Sequence, residues 1–290
     1  MTITSSFTGN LGNHMFIYAL TRTVAEKNGY DWGFNPTPEF DYYNGKSQMD
    51  FIDIDYGKIH NYTYNNRPPW IKYVWKEYYQ NIRPANGDNY DYHPYQSDVF
   101  NIADDTILYI RCMQDARYYD REKLRRWFKI KQENKGVYKA SLREFGIDIE
   151  QDNVCIINIR GGEYKGVPNL LLRKKYWEDA IAIMKKRNSL MRFLCITDDE
   201  GYANKLLDFK IPVTHLSIGG DYYILNKAKN LIISNSSFGI FPTWLNKNDP
   251  FVIAPMFWAR HNVSEGYWAN SDIWTFPWNF LGRNGVLHEK

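Results

Sequence analysis

V-C-I-I-N-I-R-G-G-E-Y, residues 154–164, decides how the rest of the chain is read. Its first six residues are almost continuously apolar, without the alternation of a half-exposed strand. Strands covered on both faces have this composition, so 154–159 is expected to be an inner strand of a parallel sheet. Further along, strand-like runs at 191–196, 213–216, 231–234 and 251–254 alternate with helical patterns at 174–186, 201–207, 222–229 and 238–245. In 174–186, Tyr176, Trp177, Ala180, Ile181 and Met184 share one helical face. This alternation describes an α/β protein with a doubly wound parallel sheet. Ligands of such sheets bind beyond the carboxyl ends of the strands, which singles out residues 160–164, 197–200, 217–221 and 235–237.

Upstream, a strand at 3–7 leads through Gly9 and Gly12 into a helix at 14–28, which Gly29 stops. Residues 30–105 are rich in Tyr, Asn, Asp and Pro and read as long loops with short elements, the part expected to set substrate specificity. A strand at 106–110 and a helical stretch at 120–145, broken near Gly136, complete this half. The expected organisation is two lobes, 1–150 and 151–290.

The composition is that of an ordinary water-soluble chain, with 44% hydrophobic and 24% charged residues. Aromatic residues reach 17%, which suits stacking on sugars or bases as well as packing. Basic and acidic residues interleave to a net charge of +3, which gives no case for nucleic-acid or membrane-surface binding. No run approaches the length of a membrane helix and no signal-like segment opens the chain, so a cytoplasmic location is expected. Cys112, Cys155 and Cys195 are expected to be reduced core thiols, and the sequons at Asn61, Asn235 and Asn262 to be chance. None of the six histidines joins a motif.

Four segments have the makings of a site. In G-N-L-G-N-H-M-F (9–16), glycines and a helix start offer backbone amides to an anion; a plain turn with Asn13 as N-cap explains the same letters. In C-I-I-N-I-R-G-G-E-Y (155–164), Arg160 ends a strand, where a guanidinium pairs bidentately with a diphosphate. Glu163 is then a candidate base, or simply a salt-bridge partner in a turn. In C-I-T-D-D-E (195–200), Asp198 is placed to accept from a base edge, or the acids merely cap a helix. In I-S-N-S-S-F-G (233–239), Ser236 and Ser237 either bind phosphate at a helix start or cap that helix.

Taken in order, these segments resemble the α-1,2-fucosyltransferase family and its relatives that make α-1,6 and protein O-linked fucose. G-N-L-G-N-H-M-F-I-Y-A-L is similar to the family's G-x-L-G-N-Q-M-F-x-Y-A, and N-I-R-G-G-E-Y falls where the family has H-x-R-R-G-D-Y. F-L-C-I-T-D-D-E resembles its strand ending in S/T-D-D; D-Y-Y-I-L (221–225), I-S-N-S-S-F-G-I-F-P-T-W-L-N (233–246) and V-I-A-P (252–255) resemble its late block. The resemblance implies a GT-B-like fold of two Rossmann-like lobes, acceptor side first and donor side second. It further implies a GDP-fucose donor, a glycan acceptor, inversion at the sugar carbon and no metal or other cofactor. Carried over by position, Arg160 binds the donor diphosphate, Asn13 contacts the donor near its phosphates, Asp198 reads the guanine, and Ser236, Ser237 and Phe238 hold phosphate and sugar. This chain departs from the pattern at Asn158, Gly161 and Glu163, which replace the family's His, second Arg and Asp. These departures keep two alternatives open: a transferase for another nucleotide sugar, and a non-catalytic nucleotide- or glycan-binding protein.

Overall fold

Six consecutive buried residues make β8 (Val154–Ile159) an inner strand of the larger, seven-stranded sheet. The computed structural model describes residues 2–35, 48–59, 74–79, 83–85, 89–91, 95–111, 113–208, 210–258, 261 and 273–290. It divides into two compact units, Met1–Lys129 and Ile130–Lys290. The division falls at 129/130 rather than 150/151, because the helix Gln132–Arg143 packs in the second unit, where Tyr138 meets Tyr223 at 5.9 Å between ring centroids.

In the first unit, β1 (Thr2–Ser6) leads into α1 (Leu11–Asn28), which ends on Gly29 in the left-handed region at φ 70°. The strands β2 (Asp31–Asn35), β3 (Lys58–Ile59), β4 (Val74–Tyr79) and β7 (Thr106–Arg111) join β1 in the order β3-β2-β1-β7-β4, every pair parallel. A short antiparallel pair, β5 (Arg83–Ala85) and β6 (Asn89–Asp91), lies apart from that sheet. After β7 comes α2 (Arg121–Trp127), capped by the Asp120 side chain. The break in the helical stretch comes at 128–131 and not at Gly136: Phe128 and Ile130 turn into the core, whereas Gly136 sits within a continuous helix.

In the second unit, α3 (Gln132–Arg143) precedes β8, α4 (Lys174–Arg187), β9 (Arg192–Thr197), α5 (Glu200–Leu206), β10 (Val213–Thr214), α6 (Ile218–Lys227), β11 (Asn230–Ile233), α7 (Ser237–Leu245), β12 (Phe251–Pro255), β13 (Asn279–Leu281) and β14 (Leu287–His288). The sheet order is β10-β9-β8-β11-β12-β13-β14, parallel except for the last pair. Chain order reverses between β8 and β11, the arrangement of a Rossmann-type sheet. Helices cover both faces. Cys155, Ile157 and Ile159 pack with Tyr176, Trp177, Ala180 and Met184 of α4, while Asn158, of opposite parity, meets Gly239 of α7. The onset of α6 is earlier than residue 222, because Ser217 Oγ accepts from the Gly220 N–H and recruits the glycine pair into the first turn.

Cys155 and Cys195 are free and buried, and burial pushes both thiols up, away from reactivity. Cys112, Asn61 and Asn262 lie outside the described residues. Asn235 is buried and its amide donates to the carbonyls of Leu170 and Trp258, so its sequon is closed to modification.

Candidate active site

The carboxyl ends of β8 and β11 are neighbours at the point where the strand order reverses. Ile233 pairs with Asn158, and the Ser234 N–H donates to the Asn158 carbonyl at 3.0 Å. Sheets of this type bind ligands outside the carboxyl ends of the strands at such a switch point. One wall of the site here is the turn 160–166; the other is the start of α7.

Arg160 leaves β8 as its first residue beyond the strand. Its Nη1 lies 2.7 Å from Asp198 Oδ2, and its Nη2 lies 3.5 Å from Glu163 Oε2. Asp198 Oδ1 accepts from the Gly161 N–H at 2.8 Å. The Arg160 and Asp198 side chains are 21% and 24% exposed, whereas Glu163 is 72% exposed and points into water. Tyr164 ties the two walls together by donating its hydroxyl to the Asn235 carbonyl at 3.0 Å.

Glycine is required on this turn by close approach. A Cβ on Gly161 would stand 2.7 Å from the Tyr202 ring and 2.9 Å from Asp199 Cβ. One on Gly162 would stand 2.3 Å from Asp198 Oδ2. Asp199 is the N-cap of α5, accepting from Tyr202 N–H. It also pairs with Lys165, and the hydrogen bonds from Lys165 and the Tyr202 amide pull its carboxyl below the usual range.

On the other wall, Ser236 is the N-cap of α7 and its Oγ accepts from the Phe238 N–H. Ser237 and Phe238, half-buried, form the first turn, where amide dipoles favour an anion. Beneath them Asn158 is 5% exposed, and among the described residues its Oδ1 has no hydrogen-bond partner. Asn13 belongs to the first unit. Instead of capping α1 it sits inside the first turn: the Asn10 carbonyl accepts from its N–H at 2.9 Å, and its side chain folds over Gly9, whose φ is 72°.

Thus Arg160, Glu163 and Asp198 form one cluster, and Ser236, Ser237 and Phe238 stand on the adjoining strand end. One histidine, His215, is held in a structural pair that no sequence motif marks. It follows β10, and its Nδ1 lies 2.7 Å from Asp221 Oδ2 in the first turn of α6. The hydrogen bond to Asp221 pushes the imidazole up, and the carboxylates of Asp221, Asp198 and Glu200 add to this. Burial pushes the Asp221 carboxyl up, and His215 pulls it back. The letters that could have revealed the pair were H-L-S-I-G-G-D, a strand end followed by a cap and an acid.

Because the His215 pKa is raised above its ordinary 6.5, the stability it contributes is full below that value and is lost as pH rises through the folded value. Urea unfolding of the wild type is therefore expected to show stability falling above about pH 6.5, by about 1 kcal/mol for this half-exposed pair. His215→Gln should lack that slope; an identical slope in the variant would assign it elsewhere.

Among the described residues no group of three or more His, Cys, Asp or Glu is placed to hold a metal ion. Nor is any described helix long and apolar enough to cross a membrane.

The chain is similar to known proteins in sequence and in fold. An Escherichia coli alpha-1,2-colitosyltransferase is 28% identical over 170 residues, which is 53% of this chain and 56% of that protein. The match therefore spans about half the length of that relative. The crystal structure of apo POFUT1 is similar in fold, with a TM-score of 0.50 at 10% identity over 86% of this chain and 95% of that one. The fucosyltransferase NodZ from Bradyrhizobium has a TM-score of 0.48 at 14% identity over 84% and 91%. Two Rossmann-like units place the fold in the GT-B-like class. The sequence profile described as Glycosyl transferase family 11 matches residues 2–281, almost the whole chain, and the protein belongs to that family.

Proposed function

We propose that the protein is an inverting fucosyltransferase that moves fucose from GDP-fucose to a hydroxyl of a glycan acceptor, forming an α-1,2 linkage. The observation that carries this reading is Arg160 at the switch point, beside the start of α7. That pairing of a guanidinium with a helix N-terminus suits a leaving diphosphate. The acceptor oxygen forms a bond to the anomeric carbon as the bond from that carbon to the β-phosphate oxygen breaks, and GDP leaves with the electron pair. Charge grows on the β-phosphate, where Arg160 and the N-terminal dipole of α7 at Ser237 meet it. The acceptor proton goes to Glu163, whose exposure leaves it accessible to an incoming hydroxyl, or to a phosphate oxygen of the departing GDP. No metal takes part, and the region 30–105 recognises the acceptor. The unpaired buried thiols fit a cytoplasmic setting.

A second reading, transfer of a different sugar, is favoured by the similarity to a colitosyltransferase. Titration calorimetry with GDP and UDP, followed by product analysis with fucosyl and colitosyl donors on a glycan panel, separates these readings. The fucosyl reading expects saturable GDP binding, UDP at least about tenfold weaker (about 1.4 kcal/mol), and a fucosylated product of anomeric configuration opposite to the donor's. Product from the colitosyl donor alone establishes the second reading. Binding of neither nucleotide overturns both.

A further inference from the structure

We infer that Asp198 is the positioning residue of Arg160: it anchors the guanidinium so that the fork is presented to the donor diphosphate, and it does not read the nucleobase. The inference rests on the donor reading above. Each carboxylate oxygen of Asp198 is already engaged by its own chain, Oδ2 by Arg160 Nη1 at 2.7 Å and Oδ1 by the Gly161 N–H at 2.8 Å. The carboxylate thus clasps two consecutive residues, one through the side chain and one through the backbone, and fixes the turn as well as the arginine. An arginine has five N–H donors in a rigid fork. Asp198 occupies the Nη1 edge, while Nη2 faces the exposed Glu163 at a loose 3.5 Å, which a diphosphate oxygen displaces at little cost. A base edge would have to share the lone pairs of oxygens that already hold Arg160 and the Gly161 amide, and so would loosen the clasp when the diphosphate needs it.

Gly162 supports the same assignment. Its Cα lies so close to Asp198 that an added Cβ would come within 2.3 Å of Oδ2, the oxygen that holds Arg160. A side chain here would push the carboxylate off the guanidinium. The glycine keeps the clasp shut.

The test is a double-mutant cycle read by calorimetry on the full chain, with GDP, UDP and inorganic pyrophosphate as probes. Arg160→Ala is expected to weaken GDP about 100-fold and Asp198→Asn about tenfold, because the isosteric amide keeps the Gly161 acceptor but loses the charge on Arg160. Asp198→Asn should weaken pyrophosphate by the same factor as GDP and leave the GDP-to-UDP ratio unchanged. The variant carrying both changes should match Arg160→Ala within about threefold, the signature of two residues acting as one unit. Gly162→Ala, which leaves both functional side chains in place, should reproduce the Asp198→Asn pattern. Additive losses in the cycle overturn the assignment. So does an Asp198→Asn protein that keeps pyrophosphate affinity while losing its preference for GDP, which is the behaviour of a base reader. A wild type that binds neither GDP nor pyrophosphate overturns the donor reading itself and the assignment with it.

Discussion

Arg160→Ala is expected to lower kcat/KM for transfer by about 10²–10³-fold, the range found when one preorganised donor to a developing oxyanion is removed. A guanidinium that meets the diphosphate in the ground state raises KM when lost, and one that meets the extra charge of the departing GDP lowers kcat. Both losses are expected here, since the leaving group is charged before and after the bond breaks. Arg160→Lys should recover only part of the deficit, because a point charge cannot replace the planar fork or hold Asp198 and a phosphate on separate edges. Stability should move little. Arg160 and Asp198 are each roughly one-fifth to one-quarter exposed, and partly solvated pairs contribute at most about 1 kcal/mol. A thermal scan and steady-state kinetics on the same preparations separate the two effects. An Arg160→Ala enzyme with wild-type kinetics would remove the diphosphate role, and one that is merely unfolded would show it in the scan.

That Arg160 stands at a strand end was legible in the sequence, because it directly follows six almost continuously apolar residues. The same logic located β8, β9, β11 and β12, whose apolar runs need no partner to be recognised. What sits beside what was not legible. The neighbouring of β8 and β11 is a pairing between distant segments, and no local pattern encodes it. The bond between Gly161 and Asp198 likewise joins turns that follow different strands, so the acid looked free to contact a base when its oxygens were already engaged. β4 escaped notice for another reason. V-W-K-E-Y-Y lacks the continuous apolar run of an inner strand, and among the described residues it pairs with β7 alone. The start of α6 was hidden by two glycines, which are poor helix formers on propensity alone, until Ser217 is seen to cap them. His215 looked isolated for want of Asp221, six residues away and brought back by the turn.

Gly161→Arg is the substitution that propensity and family pattern would recommend, since it restores a cation next to the diphosphate, yet it is expected to abolish GDP binding. Position 161 has no room for a side chain. Its first carbon alone would stand 2.7 Å from the Tyr202 ring and 2.9 Å from Asp199 Cβ, and the latter is fixed to the start of α5 by the capping bond to Tyr202 N–H. Neither atom is the far end of a flexible chain, so the turn must give way. Moving it breaks the bond from Gly161 N–H to Asp198, and with it the anchor of Arg160. Overpacking of this kind costs about 1–3 kcal/mol, and the displaced arginine loses the diphosphate even though the net charge of the site has risen. Gly161→Ala should show the same direction to a smaller extent. Adding Tyr202→Ala to Gly161→Arg should restore part of the GDP affinity by opening the space, although Tyr202 also donates to the Leu172 carbonyl and its loss has a cost of its own. Urea unfolding and GDP calorimetry on the three variants decide the matter. A Gly161→Arg protein of wild-type stability that binds GDP more tightly would show that the site lacks a cation and has space for one. A destabilised protein without GDP affinity would show that Tyr202 and Asp199 leave no space for a second arginine at position 161, so that donor binding rests on Arg160 and the start of α7.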